Sequence, residues 1–242
     1  MKHILVLLSI VVTYFSTEAQ ISRPSGSTTG STTTVSNPLT GTGNETLVSG
    51  LKEALSVSAI KSADILSATN GFFGNQAIKI LMPPEAKAVE SKLRSFGLGS
   101  EVDKMLLTMN RAAEEAAKDA APIFLDAIKG MSVNDAVALV TGPNDAATQY
   151  LRKSTSAQLT EKFTPVIDKA LDKTEATKYW SDVFTTYNKL PFATPINPDL
   201  EKYVTEKALD GLFYTMAQQE AQIRKDPAAT ANSLIQSVFG KK

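Results

Sequence analysis

Residues 208–217 read Ala208-Leu209-Asp210-Gly211-Leu212-Phe213-Tyr214-Thr215-Met216-Ala217. On a helical wheel the apolar members point in nearly every direction, and a helix that is apolar all round belongs at the centre of a bundle. Upstream, Asn197-Pro198-Asp199 offers a cap, a proline at the first position and an acid in the first turn, so this helix opens there and runs to about 224. Asp210 is the only charge in the stretch. An ionised carboxylate buried alone is strongly unfavourable, so Asp210 is expected to be buried with a partner, Arg111 first and Arg152 second. Gly211 beside it permits close approach of another backbone or of a ligand.

The same period extends outward. Leu47, Leu51, Ala54, Leu55, Ala59, Ala63 and Leu66 recur at three- and four-residue steps, and Asn70-Gly71 ends that helix. Further helices are predicted over 84–95, stopping at Gly97, and from Ser100 to about 119. Pro122 restarts the chain for 122–129, and Ser132 with Asp135 resembles a capping box for 133–140. Asp145 caps 146–153, Thr155 opens 156–172 with a bend at Pro165, and 175–189 follows. Asp226-Pro227 opens the last helix, which ends at Gly240. The expected fold is all-α: a single helical-bundle-like domain of about nine to ten helices. Two segments, 77–81 and 192–196, are β-leaning and bounded by Pro or Gly. Lone strands best satisfy their backbone groups by pairing, so they are expected to form one short two-stranded ribbon.

Ahead of this domain the composition changes. Residues 1–19 give a basic start, the apolar run Ile4 to Phe15 and the small-residue exit Ser16-Thr17-Glu18-Ala19. That is the form of a signal peptide, with cleavage expected after Ala19. The run is shorter than the ~20 residues that span a bilayer; the other reading is an uncleaved anchor. No later segment approaches membrane length. Residues 20–46 are Ser, Thr, Gly and Pro with almost nothing apolar, a disordered linker by composition. The helical domain then covers 47–242, and the expected location is outside the cytoplasm, periplasmic or extracellular.

Composition narrows the chemistry. Lys plus Arg and Asp plus Glu number 25 each, so the chain lacks the basic footprint of nucleic-acid binding. There is no cysteine, and the single histidine, His3, lies in the signal. The processed chain therefore cannot build a Ser-His-Asp or Cys-His triad, a normal zinc site or a His-ligated haem. No cofactor is expected. Calcium and magnesium, which take oxygen ligands, remain the plausible metals.

Four stretches, MNRAAEEAA (109–117), TGPNDAATQYLR (141–152), YNKLPF (187–192) and NPDLEKYVTEKALDGLF (197–213), together resemble the bacterial domain of unknown function 4197 family. The likeness covers about 49–240, in order and with similar spacing. It implies an exported bacterial helical domain and brings no reaction with it.

Several residues are candidates for a site. In helix 101–119, Val102, Met105, Leu106, Met109, Ala112, Ala113 and Ala116 form one apolar face. Leu107 falls nearly opposite, between Asn110, Arg111 and Glu114. A leucine there predicts a second covered face, with Leu107 at least roughly three-quarters buried and Asn110 or Glu114 bonded to another segment. The trio reads as a polar binding site or as a structural network. The turn Thr141-Gly142-Pro143-Asn144-Asp145 presents backbone N–H groups that could hold an anion, unless Asp145 fills the cap itself. Tyr150, Trp180, Tyr187 and Tyr203 line a cavity or belong to the core. Glu114-Glu115, and Asp168 with Asp172, are carboxylate pairs of the kind glycoside hydrolysis needs across a cleft.

Two functions follow from these residues. The first is a non-catalytic binding or interaction module of the cell envelope, whose partner is an envelope protein or a small apolar ligand held between helices. The second is a carboxylate-dependent hydrolase or lyase, with or without calcium or magnesium. Convergent acids with shifted pKa values in a deep cleft favour the enzyme; an apolar cavity or patch favours binding.

Overall fold

The computed structural model describes residues 42–173, 176–189, 195 and 199–240. Within them stand nine α-helices and no strand: α1 (Thr42–Ser67), α2 (Lys87–Ser95), α3 (Gly99–Ala116), α4 (Ala120–Gly130), α5 (Val133–Val140), α6 (Ala146–Asp172), α7 (Ala176–Tyr187), α8 (Leu200–Lys225) and α9 (Ser233–Phe239). The signal reading of 1–19 and its cleavage point lie outside the described residues, as does most of the linker. The linker's last residues, from Thr42, already belong to α1.

Helix α8 is central, packed on α6, α1 and α3. Asp199 starts it, its carboxylate accepting from the Lys202 N–H at 2.9 Å. Leu209, Leu212, Phe213 and Met216 are buried, and Phe213 meets Phe124 of α4 edge-on at 5.7 Å. Fully burying side chains of this size contributes about 1.5–3 kcal/mol each. The stretch is not covered all round, however. Lys207, Asp210 and Tyr214 form a narrow exposed stripe at steps of three and four, and Tyr214 can stand there because its hydroxyl reaches water. Asp210 is therefore a surface residue, against the expectation of burial.

Local signals set several of the helix ends. The Ser132 side chain accepts from the Asp135 N–H and opens α5. Asn70, with φ 67°, turns the chain after α1. Gly97, with φ 83°, ends α2: its N–H reaches Arg94 O and the Leu98 N–H reaches Leu93 O, the paired bonds of a glycine-closed helix terminus. Thr155 does not open a helix. Its hydroxyl donates to Leu151 O at 2.7 Å, a back-bond that leaves α6 continuous through 146–172.

Among the described residues the expected ribbon is absent. Residues 77–81 are turn and irregular chain: the Ile80 N–H and C=O bond to the Asn110 side chain on α3, the Ile78 and Lys79 N–H groups to Asn75 O, and Leu81 O accepts from Tyr203 on α8. Of 192–196 only Pro195 is among the described residues, and it is in no strand. Gly211 explains how the segment before α2 packs so closely. A Cβ on it would sit 2.5 Å from Phe72 Cε1 and 3.3 Å from Ile78 Cβ, so the missing side chain lets Phe72 bury completely against α8.

Candidate functional site

Asn110, Arg111 and Glu114 hold the irregular segment onto α3. Asn110 is fully buried; its Oδ1 accepts from the Ile80 N–H at 2.8 Å, and its Nδ2 donates to Ile80 O and Leu106 O. Glu114 Oε1 accepts from the Phe72 and Phe73 N–H groups, both at 3.2 Å. Arg111 pairs with the other Glu114 oxygen and donates to Asn70 Oδ1 at 2.9 Å. The trio thus does the work of a partner strand for residues 70–80, which is its structural reading.

A second polar cluster joins α5, α6 and α8. Glu220 accepts from the Ala147 and Thr148 N–H groups at 3.1 and 2.8 Å and from the Thr148 hydroxyl at 2.6 Å. Arg224 pairs with Glu220 at 2.8 Å, both side chains over nine-tenths buried, and donates to Leu139 O and Val140 O. One carboxylate closes the start of α6 and one guanidinium closes the end of α5, as the helix dipoles favour. The anion suspected at 141–145 is thus an internal one, Glu220. Asp145 stands at the cap position, but its side chain makes no capping bond and accepts from Gln149 Nε2. Nothing in the sequence around 220 pointed to this pair except the i, i+4 spacing of an acid and an arginine.

Asp210 pairs with Arg152 at 3.2 Å and Lys207 at 3.6 Å, its side chain 55% exposed. Arg111, the first expected partner, is engaged by Glu114; the second, Arg152, is the one observed. Arg152 also lies 4.6 Å above the Phe213 ring. Tyr150 packs half-buried against the main core. Asn110, Arg111 and Glu114 are therefore brought together, as are Arg152 and Asp210, whereas Asp145 and Tyr150 join neither group.

Sequence reading did not locate an apolar groove that the structure shows. A groove of about 660 Å³ lies between α2, α3 and α7, with Met82, Val102, Met105, Trp180 and Phe184 on its walls. Nine of its twelve lining residues are apolar, and the polar ones are Glu101, Lys104 and Thr108 on α3. Lys104 pairs with Glu101 at 2.9 Å. Leu107 belongs to this lining. It is 37% exposed, short of the roughly three-quarters burial expected, because the segment 70–80 covers the second face of α3 at Asn110 and Glu114, whereas at Leu107 that face borders the open groove. The oddly placed Leu107, and Trp180 among the aromatics read as lining a cavity or the core, were the sequence's signals of the site. Trp180, the only tryptophan of the chain, stacks beside Tyr203 at 6.0 Å and touches Phe184 at 4.4 Å. Burial, with Glu85 nearby, pushes the Tyr203 phenol up to about 12, and its hydroxyl donates to Leu81 O at 2.7 Å.

The carboxylates gather elsewhere. Glu201, at the start of α8, is pushed above the usual carboxylate range, first by burial and then by the charges of Asp168 and Asp199 and a hydrogen bond with Asp168. Among the described residues no group of three or more acidic side chains is arranged to hold a metal ion, and no helix is long and apolar enough to cross a membrane.

Fold and site together define an all-α domain with internal polar clamps and an apolar groove. The chain belongs to the family described as protein of unknown function (DUF4197), which it matches over residues 41–240. No curated protein and no solved structure matches it.

Proposed function

We propose that this is an exported cell-envelope protein whose helical domain is a non-catalytic binding module, taking an apolar ligand in the groove between α2, α3 and α7. The observation that carries this reading is the groove itself. Its volume of about 660 Å³ and mostly apolar lining match the general form of small-molecule sites, with a few polar groups left to orient the ligand. The export half rests on residues 1–19. Trp180 in the groove wall provides the test, since it is the only indole donor. A neutral naphthylamine dye titrated into the protein should show saturable energy transfer from Trp180, and Val102→Phe, which narrows the groove without adding an indole, should weaken it. Transfer that never saturates, or that ignores Val102→Phe, overturns the reading.

The second reading, a carboxylate-dependent hydrolase or lyase, has one observation behind it: Glu201 of α8, raised by burial and by its hydrogen-bonded neighbour Asp168 of α6. The groove's lining acid is Glu101, already paired with Lys104, so the acids and the groove do not coincide. Glu201→Gln leaves dye binding intact under the binding reading.

A further inference from the structure

The turn between α2 and α3 presents apolar side chains to solvent at the groove mouth. Phe96 is 78% exposed, the most exposed of the large apolar side chains among the described residues, and Leu98 beside it and Leu107 across the mouth are also exposed. This is not fraying. Backbone bonds from Gly97 and Leu98 close the α2 terminus, and Arg94, held by Glu90 within α2 at 2.9 Å, ties α2 to α3 through Asp103 at 2.8 Å. Leu93 and Leu98, the residues that flank this helix stop, both line the groove. Leu98 thus joins the exposed turn at Phe96 to the apolar lining that includes Trp180.

We propose that this turn is a membrane-contact element, and that the groove's ligand is a lipid acyl chain which Phe96 and Leu98 collect from a bilayer surface. The proposal rests on the groove being a ligand site. Area argues for a lipid over a protein partner: the three side chains expose on the order of 300 Å², against ~800 Å² per partner in a standard protein interface. A bilayer needs no such area, because a single apolar wedge enters the headgroup region and a groove opening beside it meets acyl chains directly. Between Glu85 and Lys104 acidic and basic residues are equal in number, so attraction should come from apolar insertion and depend little on salt.

The test is flotation of the processed chain, from Gln20 onward, with phosphatidylethanolamine–phosphatidylglycerol vesicles, beside the Trp180 dye titration without lipid. The wild type should float at low and high salt. Phe96→Ser should lower vesicle partition about tenfold while dye binding stays unchanged, and Phe96→Trp should restore flotation. Saturable dye binding without flotation, or equal flotation of Phe96→Ser, overturns this inference alone. A Phe96→Ser change from dimer to monomer without lipid assigns the turn to a second copy and overturns it too. Failure of the dye titration removes the groove reading and the acyl-chain ligand with it.

Discussion

Glu220 closes the N-terminus of α6 through Thr148, accepting both its backbone N–H, at 2.8 Å, and its hydroxyl, at 2.6 Å. The contact spans 72 residues of sequence and ties α8 to α6 where α5 also ends. Glu220→Ala removes the carboxylate and strands Arg224 in a site where its side chain is 8% exposed. The expected loss of stability is about 3–5 kcal/mol, the cost of breaking a buried pair. Arg224→Ala should cost less, because Glu220 keeps its helix N-terminus. Urea denaturation of the two variants measures the difference.

Asn110 satisfies the Ile80 N–H and C=O in the absence of a neighbouring strand. Asn110→Ala leaves both without a partner in a buried setting, a loss of about 3 kcal/mol. Hydrogen exchange supplies the residue-level check: the Ile80 amide should become the first of the core amides to exchange.

The helices were legible because their signals are local. The Ser132 and Asp199 caps, the left-handed Asn70 and Gly97, and the apolar period of α1 and α3 are written within a few residues of where they act. The polar clamps were not, because Glu220 and Thr148, or Asn110 and Ile80, meet only once the bundle has formed. Residues 77–81 looked like a strand for the same reason: their β-leaning composition is real, but a side-chain amide supplies what a strand partner would. Asp210 misled the wheel because a central helix still leaves a stripe about one side chain wide. Leu107 was correctly singled out as anomalous, yet its surroundings depend on how far α7 stands from α3, which no spacing within α3 records.

Adjacent residues of α8 should respond unequally to alanine. Asp210→Ala removes an exposed pair with Arg152 and Lys207, and should shift stability by no more than about 1 kcal/mol. Gly211→Ala places a methyl 2.5 Å from Phe72 Cε1, and should cost about 1–3 kcal/mol by overpacking. Paired thermal melts decide this; a larger effect at Asp210 than at Gly211 would contradict the burial described above.

Alkaline stability reports on Tyr203. An unfolded phenol titrates near ~10, whereas the folded one is raised to about 12. The fold therefore favours the protonated phenol, and that contribution is complete below pH ~10 and lost as pH rises through about 12. Tyr203→Phe should cost about 0.5–1.5 kcal/mol at neutral pH, for the bond to Leu81 O, and flatten the decline in stability above pH ~10. Denaturation curves across the alkaline range measure both effects.

The most direct test of the groove is photolabelling with a fatty acid carrying an alkyl diazirine, followed by peptide mapping. The account predicts labelling of the stretches 98–108 and 176–184, competed away by unlabelled fatty acid and reduced by Val102→Trp. Labelling spread over the surface, or unaffected by competitor, would contradict it.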